Sequence, residues 1–167
     1  MIYVLYGQPG SGKTTLGTLL AKKLETPFII DGDEFREMFT NKNYGREGRE
    51  QNIQNANAVA TYLNKKKNGG EWMCIYQRDS ANSIKGRSIS DKTDIVMCLV
   101  NPYEHLRSEL ESNNPGQVVE VYLTSERELR REYHVEDFET GNPGYVLNTD
   151  QGVNTSWAQL RQLLELH

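Results

Sequence analysis

The stretch Gly7-Gln8-Pro9-Gly10-Ser11-Gly12-Lys13-Thr14 follows the pattern G-x-x-x-x-G-K-[ST] without a mismatch. Few local patterns constrain a fold so strongly, because the chemistry needs a strand before the loop and a helix after it. Both flanks are present. Ile2-Tyr3-Val4-Leu5-Tyr6 is a short apolar run that reads as a buried strand, and Leu16, Leu19, Leu20 and Leu24 mark one face of a helix starting near Lys13. Glycines let backbone N–H groups turn inward around phosphate oxygens, and the helix N-terminus adds partial positive charge. This predicts a nucleoside triphosphate site formed by Gly7 to Thr14 with Thr15 beside it. Lys13 is expected to reach the β- and γ-phosphates of ATP, and the Thr14 hydroxyl to ligate Mg²⁺.

The rest of the chain alternates between strand and helix signals, which predicts an α/β fold of three layers, a parallel central sheet with helices on both faces. Pro27-Phe28-Ile29-Ile30 reads as a second strand, and a long helix is expected from about Arg49 to Lys66 with Ile53, Ala56, Ala60 and Leu63 inward. Asp94 to Val100 and Val118 to Leu123 read as buried strands, with a helix from about Tyr103 to Ser112 between them. Ser125 is expected to cap a helix reaching about Tyr133. Tyr145-Val146-Leu147 reads as a last strand, and Asn154 or Thr155 as the cap of a terminal helix. At 167 residues the chain is expected to form one domain. Residues 68–92 interrupt the alternation and are too long for a plain connection. They are expected to form a folded insertion, a β-hairpin by their apolar run Trp72 to Tyr76, and are a candidate cover for the site.

A phosphate loop needs an acidic partner for its metal and a base if it transfers phosphate. Asp31 and Asp33 follow the second strand at its carboxyl end, where open α/β sheets place ligands, with Arg36 one helical turn on. Residues two apart in an extended turn face the same way, so both carboxylates could enter the crevice, although Asp33 is also able to cap the next helix. Arg49 and Asn52 are three apart and share a helix face.

Asp31-Gly32-Asp33-Glu34-Phe35-Arg36, Tyr44, Arg49-Glu50-Gln51-Asn52-Ile53 and Asn101-Pro102-Tyr103 together resemble the ordered signatures of the adenylylsulfate kinases. That resemblance runs over most of the chain and implies a P-loop kinase fold. It also implies transfer of the γ-phosphate of ATP to the 3′-hydroxyl of adenosine 5′-phosphosulfate, in a homodimer. Carried over, Asp33 takes the hydroxyl proton and Asp31 assists the metal beside Thr14. Arg36, Arg49 and Asn52 hold the phosphosulfate, and Tyr44 stands for the family's phenylalanine against adenine. Asn101 stands where the family has a serine near the substrate, and residues 130–144 occupy the place of a longer lid. Two other readings stay open: a kinase acting on another hydroxyl (a nucleotide, a nucleic-acid end or a small metabolite), and a nucleotide-binding protein without catalysis.

Composition narrows the partners. A net charge of −4 supplies no basic footprint for duplex nucleic acid. Cys74 and Cys98 lack metal or disulfide spacing and read as core residues in a reducing compartment. With no apolar stretch of membrane length and no leader before the first strand, a cytoplasmic protein that leaves membranes alone is expected.

Overall fold

A computed structural model describes residues 1–68, 74–78, 84–88, 93–127 and 129–166, with the two short middle stretches and residues 67–68 described as backbone only. Five parallel strands form the central sheet: β1 (Ile2–Tyr6), β2 (Ile29–Asp31), β5 (Ile95–Leu99), β6 (Val118–Thr124) and β7 (Tyr145–Asn148), in the order β2-β5-β1-β6-β7. Between them run α1 (Lys13–Lys23), α2 (Gly32–Met38), α3 (Arg46–Asn68), α4 (Glu104–Asn113) and, last, α5 (Val153–Leu163). The three-layer α/β fold expected from the alternation is therefore present.

The central strands are apolar on both sides because helices cover both faces. In β5, Ile95, Met97 and Leu99 join a cluster with Phe35, Ala56, Ala60 and Leu110, while Val96 and Cys98 face Leu16, Leu20 and Leu160. That period-2 division of a continuous apolar run is what a buried parallel strand requires. Helix α1 approaches the sheet so closely that a Cβ on Gly17 would lie 2.1 Å from Cys98 Sγ. Gly17→Ala should lower stability by about 1–3 kcal/mol through overpacking, despite alanine's better helix propensity. Chemical denaturation checks this, and Cys98→Ala in the same background should recover part of the loss. A stabilised Gly17→Ala would show that the helix has room to move.

Register brings the functional ends together. Tyr6 lies opposite Leu99 and Tyr122, and Asp31 lies opposite Cys98. The residues that follow (Gly7, Asn101 and Gly32) therefore emerge at one edge of the sheet.

The insertion contains an antiparallel hairpin, β3 (Cys74–Arg78) paired with β4 (Ile84–Ser88), as its composition suggested. Helix α3 has 23 residues and is about 34 Å long, starting beside Gly32. Near its far end, Asn64 donates to Asn114 and Gln117, at the edge where β1 begins. Helix α3 thus ends, and β5 begins, at the end opposite the phosphate loop. Trp72, between the helix and the hairpin, lies outside the described residues.

Three local expectations are corrected. Ser125 does not cap a helix among the described residues: its hydroxyl donates to Asp150, and a short 3₁₀ turn follows at Arg131–Tyr133. Helix α5 is preceded by Gly152 at φ 90°, without a side-chain cap, so neither Asn154 nor Thr155 serves. The cap of α2 is Asp31 rather than Asp33.

Candidate active site at the phosphate loop

The loop turns on glycines that sequence alone singles out. Gly10 and Gly12 have φ of 85° and 87°, and a Cβ on Gly10 would come within 2.6 Å of Leu129 O. Inside the loop, Lys13 Nζ donates to Gln8 O at 2.7 Å and Ser11 Oγ at 3.4 Å. The residue is partly open to solvent, yet its ammonium is enclosed by the loop. Desolvation pulls its pKa down to about 8, with Asp33 and Asp31 opposing that shift and Arg130 adding to it.

Asp31 ties the loop to the second half of the site. One carboxylate oxygen accepts from Thr14 Oγ1 at 2.7 Å, and the other accepts from the Asp33 N–H at 2.9 Å, capping α2. Asp31 is buried, whereas Asp33 is exposed on the first helical turn and its carboxylate has no hydrogen bond or ion pair among the described residues. The two acids are thus divided in role, one structural and loop-bound, the other free. Thr14 and Asp31 offer hard oxygens side by side, which suits Mg²⁺. That ion binds through one or two protein oxygens and completes its shell with phosphate and water. No cluster of three or more metal-binding side chains exists among the described residues.

The expected acceptor-side residues come together only in part. Arg36 lies with its guanidinium 4.5 Å from the Tyr44 ring centre and donates to Asn43 O at 2.9 Å. Burial lowers its pKa, and the nearby Arg49 charge lowers it further, while Tyr44 and Asp33 oppose the shift. Arg49 makes no side-chain hydrogen bond or ion pair among the described residues, and its charge lies near enough to Arg36 to repel it. Asn52 is buried, and one N–H of its side-chain amide donates to Gly32 O at 3.1 Å, bracing the turn that carries Asp33. Asn101 is buried in the left-handed region at φ 46°, its amide sealed with neither atom hydrogen-bonded among the described residues. Cys98 sits below the loop as a thiol, its pKa pushed up to about 12 by burial and by Asp31, with Lys13 opposing.

The far wall comes in part from the segment that the resemblance placed as a lid, while sequence reasoning missed Arg127 and its partner Asp150. Leu129, His134 and Val135 lie against the phosphate loop, and His134 places Nε2 3.2 Å from both Pro9 O and Leu129 O. A small cavity of about 90 Å³ beside Gln8, Pro9 and Ser11 is completed by Thr124, Arg127 and His134. Arg127 pairs with Asp150 at 3.2 Å, and hydrogen bonds from the Glu126 N–H and the Ser125 hydroxyl hold the Asp150 carboxyl down to about 2. These partners are remote in sequence and give no local signal. A larger groove, of about 600 Å³ between α4 and the start of β6, lies away from the loop.

The family model described as "AAA domain" matches residues 6–72. A cytidylate kinase of Pyrobaculum arsenaticum is 45% identical over 40 residues, 24% of this chain and 22% of that protein. Among solved structures, the Mycobacterium tuberculosis APS kinase in complex with AMPPNP and APS superposes with a TM-score of 0.67 at 17% identity, covering 98% of this chain and 96% of that one. The shikimate kinase of Aquifex aeolicus does so with a TM-score of 0.58 at 14% identity, covering 99% and 96%. The fold is that of the P-loop kinases. No helix among the described residues is long and apolar enough to cross a membrane.

Proposed function

We propose that the chain is an ATP-dependent phosphotransferase acting on a hydroxyl group, with adenosine 5′-phosphosulfate as the acceptor. The observation that carries this reading is the linkage Thr14–Asp31–Asp33. A single buried carboxylate joins the phosphate loop to a turn that presents a second, free carboxylate near the charges of Arg36 and Arg49. A protein that only sensed nucleotide would need the first half of that arrangement and not the second.

In this mechanism the loop N–H groups and Lys13 hold the ATP phosphates, with the ammonium exchanging Gln8 O and Ser11 Oγ for phosphate oxygens. Mg²⁺, held by Thr14 and Asp31, would neutralise charge on the transferring phosphoryl group. The acceptor oxygen forms a bond to the γ-phosphorus as the bond to the ADP oxygen breaks, and the hydroxyl proton passes to the Asp33 carboxylate. Catalysis of this kind is mainly positioning and charge neutralisation. Arg36 and Arg49 take the acceptor's anionic group, which relieves the repulsion between them, and Tyr44 offers its exposed face to the base. Asn52 fixes the turn that carries Asp33 and keeps a second amide N–H for the acceptor.

ADP release measured across adenosine 5′-phosphosulfate, nucleoside monophosphates, shikimate, a sugar acid and 5′-hydroxyl oligonucleotides tests the reading. The phosphosulfate is expected to be used best. Arg36→Ala and Arg49→Ala should each weaken acceptor use about 10- to 150-fold, the loss of one charge-assisted contact, with ATP affinity kept. Preference for another acceptor would defeat the phosphosulfate assignment and keep the kinase. No ADP release with any acceptor would favour the sensor.

A further inference from the structure

The outer side of the phosphate loop is gripped by a segment more than 100 residues away. Gln8 Nε2 donates to Val135 O at 2.8 Å, and Gln8 Oε1 accepts from the Val135 N–H at 2.9 Å. One side-chain amide thus satisfies both backbone groups of a residue that is 4% exposed. Beside it, His134 Nε2 must carry a proton, since both groups it meets, Pro9 O and Leu129 O, are acceptors. Leu129 rests directly on Gly10, where a Cβ would meet Leu129 Cβ at 2.9 Å. Further along, Tyr6 donates to Thr140 O at 2.8 Å and Arg107 to Glu139 O at 2.7 Å.

The turn so fixed carries Arg130, in the left-handed region at φ 56°. Its charge acts on Lys13, lowering that group's pKa. Two cations near one another in a free site repel, so attraction between them cannot be what holds this turn in place. The contacts just described hold it, and among them Gln8 spends both ends of its side-chain amide on one residue of the segment. The phosphate-loop pattern leaves its position open, so folding of the loop itself makes no demand on the side chain.

We propose that Gln8 is a positioning residue: by clasping Val135 it holds Arg130 over the phosphate site, so that the cation is in place before nucleotide arrives. This rests on the nucleotide-binding half of the reading above and is independent of the acceptor. A pre-placed cation spares the ordering of a flexible loop on binding, which appears as affinity.

The test uses the full chain, with nucleotide-free hydrogen exchange at the Val135 amide and titration of Mg·ATP as readouts. Gln8→Glu replaces the donor with a carboxylate facing a carbonyl, and Gln8→Met removes both bonds without adding charge. Each should speed Val135 exchange and weaken ATP binding by about tenfold, the loss of two neutral hydrogen bonds. In an Arg130→Ala background the same changes should weaken ATP binding less than about twofold further, because the group they position is gone. Unchanged Val135 exchange would overturn the proposal. So would a full tenfold loss in the Arg130→Ala background, which would mean that Gln8 shapes the loop directly, or an effect confined to the charged variant. Since no acceptor enters either readout, failure here and failure of the acceptor assignment remain distinguishable.

Discussion

Asp33→Asn should lower turnover by about 10²–10⁴-fold with the best acceptor, the usual cost of losing a positioned general base, while leaving the fold and the ATP site nearly intact. The substitution keeps size and shape and removes only the basic carboxylate. Folding should be insensitive because the α2 cap uses the Asp33 backbone N–H, not its side chain, and the side chain is exposed. A stability change within about 0.5 kcal/mol is expected, as for an ordinary surface position. One correction enters on the nucleotide side. The Asp33 charge supports the protonated form of Lys13, so its removal lowers the lysine pKa somewhat further from about 8. ATP affinity should therefore be compared near pH 6.5, where Lys13 stays charged in both proteins. Asp31→Ala supplies the contrast. It strips the cap from α2 and the partner from Thr14, and should cost about 1–2 kcal/mol of stability together with ATP binding. Near-normal turnover by Asp33→Asn at saturating acceptor would assign the proton to another group.

The phosphate loop and the central strands were legible because their signals are local. Glycine at positive φ is demanded by the loop itself, and a strand buried on both faces must be continuously apolar, as Ile95 to Leu99 is. The hairpin was legible for a similar reason. What misled was Ser125, followed by Glu126 and Arg127 in a pattern that reads as a capped helix. Asp150, 25 residues away, takes the Ser125 hydroxyl and the Glu126 N–H instead, and the local pattern yields to that partner. Arg49 and Asn52 do share the start of α3, yet spacing cannot tell which of two neighbours will be buried. The Gly32 carbonyl decides it by claiming the Asn52 amide. The clasp between Gln8 and Val135 and the ion pair of Arg46 with Asp137 at 3.3 Å join residues roughly a hundred positions apart, where no periodicity reaches.

Lys13→Met should move affinity and stability in opposite directions. ATP affinity should fall by about 10²–10⁴-fold, since the ammonium supplies charge-assisted hydrogen bonds to two phosphates at about 1.5–3 kcal/mol each. The free protein should nevertheless become more stable. Its lysine is held charged in a desolvated loop, with a folded pKa of about 8 against 10.5 for the ordinary group. At pH 7 that difference opposes folding by about 3 kcal/mol, at 1.36 kcal/mol per pKa unit. Losing the bonds to Gln8 O and Ser11 Oγ returns part of it, leaving a net gain of about 1–2 kcal/mol, or some 2–8 °C in Tm. Between about pH 8 and 10.5 the unfolded chain binds more protons at this site than the folded one, so wild-type stability gains a rising contribution with pH there. Below pH 8 the full cost is present and flat. Nucleotide binding carries the opposite sign, because the phosphates require the protonated lysine. Wild-type affinity should hold up to about pH 8 and then weaken by up to tenfold per pH unit, a dependence that Lys13→Met lacks. Calorimetric titration of Mg·ATP from pH 6.5 to 9.5 and thermal melts of both proteins measure these quantities. A Lys13→Met variant less stable than wild type would mean that the ammonium is well solvated in the free loop, and the depressed pKa would fall with it.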